Sequence, residues 1–316
     1  MRTLPATILC LTILLAILPS AGCQRDPHDI GSWQGTWGRR GISDGRLQKP
    51  RAIAIDGNDR LYLVDKTARI QAFDSEGNFL HGWRTPAHKT GKPTGLSIGR
   101  DGNVLVADTH YHRLLVYSPE GKELQRIGGG DLPSHEPGQF GQVTDAVQDS
   151  KGNYYVAEKG EYDRIQKFSA DGRFLLQWGG HGTEQGQFVL PQSMVVDSQD
   201  RIWVTDSCNH RIQIFDVQGK WLESFGREGD GLGQLYYPYD LVLGDDRTVY
   251  ILEYGNHRVQ KFTHDARLQQ FTSQGCWGSE GRGEGQLHNP WGLALDSRGK
   301  IHVLDTNNHR VQCVKM

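Results

Sequence analysis

The stretch Asp305-Thr-Asn-Asn-His-Arg310 decides the fold, because its plan of an acid, a short loop and an arginine occurs six times in the chain. The pairs are Asp65 with Arg69, Asp108 with Arg113, Glu158 with Arg164, Asp206 with Arg211, Glu253 with Arg258, and Asp305 with Arg310. Successive arginines lie about 44 to 52 residues apart, a period that marks a repeat architecture.

One unit shows what is repeated. Pro191-Gln-Ser-Met-Val-Val-Asp197, Arg201-Ile-Trp-Val-Thr-Asp206, Arg211-Ile-Gln-Ile-Phe215 and Lys220-Trp-Leu-Glu-Ser-Phe225 are apolar runs rich in β-branched and aromatic residues. Asp, Asn and Gly bound them, so they read as short strands. Connections such as Asp101-Gly-Asn103 and Glu120-Gly-Lys122 suit tight hairpins. Each unit is a four-stranded antiparallel meander that cannot bury both faces alone, so its neighbours must stack on it. Composition agrees: apolar content is 36%, and the 40 glycines suit many tight turns. Six such units predict an all-β fold, a six-bladed β-propeller.

Pro290-Trp-Gly-Leu-Ala-Leu-Asp296, Asn308-His-Arg-Val-Gln312 and Gly186-Gln-Phe-Val-Leu-Pro191 carry phrases that resemble NHL repeats, and the resemblance covers residues 33–316. The last copy stops at Met316 after its third strand, and Ser32-Trp-Gln-Gly-Thr-Trp37 matches the outer-strand phrases of the other copies. The first strand is therefore expected to complete the last blade and remove an open edge.

Within the repeat, the acid is expected to accept backbone N–H groups of the loop that follows, and the arginine to pair with it or with neighbouring carbonyls. The pair is read as structural because all six copies keep it. His112, His210, His257 and His309 precede the arginine in four copies. Equivalent positions in different blades lie far apart around a ring, so these histidines are expected to be loop residues rather than a metal cluster.

Function is expected on the face that carries the variable connections between blades. The entrance of the central channel is assigned to the residues following the repeat proline, or its Val143 replacement: Arg51, Thr94, Thr144, Gln192, Tyr239 and Trp291. One position further on stand Asp145, Ser193 and Asp240, against Ala52, Gly95 and Gly292. This mixed-polarity mouth suits a small polar ligand or a peptide tail. Tyr111, Tyr162, Tyr236, Tyr237 and Tyr254 are candidates to extend it.

Residues 1–23 read as an export leader: Arg2, an apolar run from Ile8 to Leu18, then Pro19-Ser-Ala-Gly-Cys23. The small residues before Cys23 resemble a bacterial lipobox, with Ser20 where that motif usually has Leu. The resemblance implies acylation of Cys23 and a lipoprotein of the periplasm or outer membrane, with Gln24–Ser32 as a tether; the alternative is a secreted soluble chain cleaved near Gly22. Cys208, Cys276 and Cys313 are too widely spaced for a metal motif.

Two function classes follow. The first is a binding scaffold for a protein, peptide or glycan of the cell envelope, acting as a monomer and touching the membrane only through a lipid anchor. The second is a propeller enzyme, a lyase or hydrolase, with its site at the same mouth. Within the NHL-like group the amidating lyase binds zinc through histidines immediately after the repeat proline. None of the six residues here is histidine, so that zinc site does not carry over. No catalytic residue is assigned; His88, His135, His181 and Glu161 are loose loop candidates. No cofactor is expected, with a divalent metal ion in the channel left open. Net charge of −2 argues against nucleic acid.

Overall fold

Apolar runs separated by turn residues fold into six four-stranded antiparallel sheets, arranged as a closed six-bladed propeller. A computed structural model describes residues 28–86, 88, 89, 91–130, 132–245, 247–268 and 270–316. The expected leader and Cys23 lie outside the described residues.

From the channel outward, blade I consists of Pro50–Ile55, Leu61–Asp65, Arg69–Phe73 and Phe79–Arg84. Blade II comprises Gly95–Ile98, Val104–Asp108, Arg113–Tyr117 and Glu123–Gly128. Blade III follows with Gln142–Gln148, Tyr154–Lys159, Arg164–Phe168 and Phe174–Gly179. Blade IV is Pro191–Val196, Ile202–Asp206, Arg211–Phe215 and Trp221–Phe225. Blade V is Pro238–Asp245, Thr248–Glu253, Arg258–Asp265 and Gln270–Trp277. Blade VI takes Gly292–Leu295, Ile301–Asp305 and Arg310–Lys315 from the end of the chain and Ser32–Trp37 from its beginning.

That last pairing is antiparallel, with Trp37 opposite Val311 and Ser32 opposite Lys315, so the expected closure is present. Each inner strand contacts the inner strands on either side, and blade VI returns to blade I.

The core is six cores, one per interface between blades. Tyr62, Val64 and Ile70 of blade I meet Leu96, Val106 and Leu115 of blade II. At the seam, Leu61, Leu63 and Phe73 of blade I meet Ala294, Leu304 and Val311 of blade VI, with Trp37 packed alongside. Successive residues of a strand point to opposite faces. Here the two faces feed two different interfaces, which is why a second strand such as Leu61–Asp65 is buried throughout. Blades sit close where glycine permits it: a Cβ on Gly219 (φ 77°) would lie 2.5 Å from the Trp178 ring of the preceding blade.

In blades I, III, IV and VI the hairpin between first and second strands is held by one aspartate, Asp56, Asp149, Asp197 or Asp296. Asp197 accepts the Gln199 and Arg201 N–H groups, both at 2.9 Å, and Trp203 Nε1 donates to its other oxygen. Asp149 does the same with Tyr155 and Asp56 with Tyr62. The end of the expected tether is bonded to the propeller: Ile30 N donates to Cys276 O, and Cys276 N to His28 O, along the outer strand of blade V.

Candidate functional site

All six acid and arginine pairs are formed, at 2.6 to 2.9 Å. The remaining guanidinium nitrogens bind carbonyls of the connection entering the blade: Arg211 reaches Thr183, Glu184 and Gln187, and Arg310 reaches Gly283 and Gln286. The acids also differ from expectation. Their backbone donors come chiefly from this incoming connection, Gln48 to Asp65, Gly141 to Glu158, Val189 to Asp206, Tyr236 to Glu253 and His288 to Asp305. The following loop adds mainly side-chain amides, such as Asn209 and Asn308. The unit therefore ties each connection down onto its blade and sets the loops of this face at a fixed height.

The residue before the arginine has positive φ in every blade, occupied by Ala68, His112, Asp163, His210, His257 and His309. From there the side chain reaches the next connection. Lys49 N donates to His309 Nδ1, Tyr237 N to His210 Nδ1, Asn289 N to His257 Nδ1, and Leu190 N to Asp163 Oδ1. These histidines staple blade to blade, a role that a single repeat copy does not reveal. Among the described residues no group of three or more His, Cys, Asp or Glu is placed to hold a metal ion.

Eight of the nine assigned mouth residues converge. Arg51, Thr94, Asp145, Gln192, Ser193, Tyr239, Asp240 and Trp291 line one small cavity of about 20 Å³, room for about one water. Thr144 does not join them; it is buried, and its hydroxyl donates to Pro191 O at 2.6 Å. Blade III has Val143 in place of the proline, and Thr144 bonds the first residue of the inner strand of blade IV. Thr94 Oγ1 shares a hydrogen bond with Thr109 Oγ1 at 2.7 Å.

Above the cavity is an aromatic cluster. Tyr239 stacks on Tyr254 at 4.8 Å and meets Trp291 at 5.5 Å. The Arg51 guanidinium lies over Trp291 at 5.3 Å, a cation–π contact, and donates to Lys92 O at 3.3 Å. No carboxylate forms an ion pair with Arg51 among the described residues, unlike the six repeat arginines. Burial lowers its pKa, partly offset by Tyr239 and Asp65. Lys159 is lowered by burial and then by Arg51, and His110 by burial and then by Arg51, Lys92 and Lys159. Lys159, at the end of the second strand of blade III, and His110, in the second-to-third-strand loop of blade II, thus stand near Arg51, and burial and Arg51 together favour the neutral form of each.

Of the other loop aromatics only Tyr254 belongs here. Tyr236 stacks on His210, Tyr162 packs on His135, and Tyr111 lies beneath Arg113. His88, His135, His181 and Glu161 do not line the cavity. His135 and Glu161 are 3.9 Å apart, and His181 pairs with Asp163 at 2.6 Å.

At the floor of the mouth the channel narrows. Ser193 Oγ donates to Asp240 Oδ1 at 2.6 Å and lies 3.4 Å from Asp145 Oδ2. Met194 N donates to Asp145 and Leu293 N to Asp240. Burial pushes Asp145 up to about 7, opposed by the Met194 N–H and reinforced by Asp240, and burial pushes Asp240 up to about 6.

The NHL repeat family matches residues 90–117, 188–215, 235–262 and 287–314, which cover the first three strands of blades II, IV, V and VI. Peptidylglycine alpha-amidating monooxygenase of Rattus norvegicus is 37% identical over 127 residues, 38% of this chain and 13% of that protein. NHL repeat-containing protein 3 of Homo sapiens is 29% identical over 176 residues, 50% of this chain and 49% of its own length. The matched stretches thus span at most about half of these curated relatives. Virginiamycin B lyase from Staphylococcus aureus superposes with a TM-score of 0.60 at 12% identity, covering 90% of this chain and 99% of that one, a likeness of fold. The repeat motif and the matched family agree: the chain is a six-bladed β-propeller in which blades II, IV, V and VI carry NHL repeats.

Proposed function

We propose that this propeller is a binding module whose loop-rich face captures a ligand carrying a carboxylate or similar anion at the channel mouth. The observation that carries the reading is Arg51, a half-buried cation resting on Trp291 with no carboxylate in ion-pair contact among the described residues. A half-buried guanidinium without an acid gains most from an incoming anion. Trp291, Tyr239 and Tyr254 offer a flat apolar surface for the rest of the ligand. The shallow cavity suits the end of a larger molecule, such as a protein, peptide or acidic glycan of the cell envelope. Export and anchoring through an acylated Cys23 would place the chain there.

A propeller enzyme using the same mouth is the second reading. What favours it is the 37% identity to an amidating monooxygenase over part of the ring.

Thermal-shift measurements with carboxylates paired with their own amides test the proposal. The carboxylates are expected to raise the melting temperature and the amides to leave it unchanged; a ligand at about 100 times its Kd adds about 2.7 kcal/mol. Arg51→Gln and the double variant Trp291→Ala/Tyr239→Ala are expected to abolish the response. A double variant that responds like the parent protein would remove the mouth from the binding site. Chemical change in any stabilising ligand would favour the enzyme.

A further inference from the structure

The larger cavity opens on the other face. Below the neck the channel widens into a space of about 370 Å³, lined by the later halves of the inner strands, among them Ile55, Ile98, Val147, Val196, Leu243 and Leu295. These residues adjoin the tight first-to-second-strand hairpins, so this funnel faces away from the mouth. Its walls are mainly aliphatic, with Ser97, Gln148 and Arg100 on the side of blades II and III. Its narrow end is formed by Asp145, Ser193 and Asp240, which also floor the small cavity above.

Two features of that end stand apart from ordinary packing. Asp145 is 5% exposed, yet its Oδ1 has no hydrogen-bond partner. A buried carboxylate oxygen without a partner is costly. Asp108 Oδ1 is another, but it belongs to an acid already paired with Arg113, whereas Asp145 has no cation in ion-pair contact among the described residues. Secondly, the neck is lopsided. Equivalent positions of blades III, IV and V hold Asp145, Ser193 and Asp240, while blades VI, I and II hold Gly292, Ala52 and Gly95. A Cβ on Gly95 would lie 2.8 Å from Asp145 Oδ1, so the free oxygen faces the bare backbone of the neighbouring blade. The small residues let the blades meet closely, with Thr144 O closer still to a Cβ on Gly95, and the acids put the charge of the neck on one side.

We propose that this funnel is a second binding site, for an organic ammonium ion with an apolar body: the charged head sits at Asp145 and Asp240, and the body lies along the aliphatic walls. An N–H donor at the neck would satisfy Asp145 Oδ1 directly. The raised pKa values of both acids are the electrostatic counterpart, since burial without a cation disfavours their charged forms. The cation among the lining residues, Arg100, is at the wide end, tied to Asp197 O at 3.3 Å. The volume is within the usual range for small-molecule sites. The site is independent of the reading for the mouth, since it lies on the opposite side of the neck and takes the opposite charge.

Titration calorimetry with n-hexylammonium, n-hexanol and calcium ion tests it on the intact protein. The amine is expected to bind about tenfold or more tightly than the alcohol, the margin of a charge-assisted hydrogen bond. Asp145→Asn is expected to bring the amine down to the affinity of the alcohol. Ile98→Trp, which narrows the funnel without touching an acid, is expected to abolish binding of both. Equal affinities for amine and alcohol in the parent protein would overturn the proposal whether or not the variants fold. So would calcium binding that displaces the amine, because the neck would then be an inorganic cation site.

Discussion

Asp145 and Asp240 show how far one residue's environment moves its chemistry. Both hold a proton to higher pH in the folded state than an unfolded carboxyl does, Asp145 to about 7 and Asp240 to about 6. Between about pH 4 and 7 the folded protein therefore binds more protons than the unfolded chain, and these groups lower stability as pH rises. His257 and His309 act with the opposite sign: burial lowers both, so their contribution is lost as pH falls through the folded pKa. The difference between the parent protein and Asp145→Asn/Asp240→Asn isolates the acids. Urea unfolding at several pH values is expected to give a gap that shifts in favour of the variant by a few kcal/mol from about pH 4 to 7, at about 1.4 kcal/mol per unit of pKa. A gap that stays constant would mean that the two carboxyls titrate normally.

At the scale of the element, the repeated pair joins three segments: the end of a second strand, the start of a third and the incoming connection. In blade IV, Asp206 binds Arg211 and Val189 N, while Arg211 binds three carbonyls of the connection. Arg211→Ala is expected to cost about 3 kcal/mol, since it leaves a buried acid without its cation. The check is the denaturant midpoint, and an unchanged midpoint would show the pair to be idle. The pair was readable from sequence because six copies repeat the same two residue types. The histidine staples were not, because each works between blades: His210 meets Tyr237, and His309 meets Lys49 at the far end of the chain. The identity of the residue shows a loop that tolerates positive φ, and the partner appears only once the blades are stacked. Thr144 is a similar case, since its hydroxyl bonds Pro191 O of the next blade, a partner that its own blade does not specify.

For the whole molecule the weak point is the seam. Five blades are continuous in sequence, whereas blade VI depends on pairing Ser32–Trp37 with Arg310–Lys315. Trp37 contributes to the core between blades VI and I and lies 5.0 Å from Phe73. Trp37→Ala is expected to lower stability by about 3 to 5 kcal/mol. It should also speed amide exchange first in Arg310–Lys315 and blade I, because that pairing joins the two ends of the chain with no hairpin to hold them together. Exchange that accelerates equally in all six blades would show that the ring opens elsewhere.

The amino-acid sequence by itself determined the strands, the blade count, the six ion pairs and the way the ring closes. Each of these follows from local periodicity repeated six times, and repetition makes a weak local signal strong. Only the tertiary structure decided the two faces of the channel. Arg51 gains Trp291 as its platform, and Lys159 and His110 as company, from other blades. Asp145 and Asp240 become a buried pair because stacking brings blades III, IV and V around one axis. A residue's charge state and partners depend on what lies across the channel, and the sequence within one blade does not specify its neighbour across the axis.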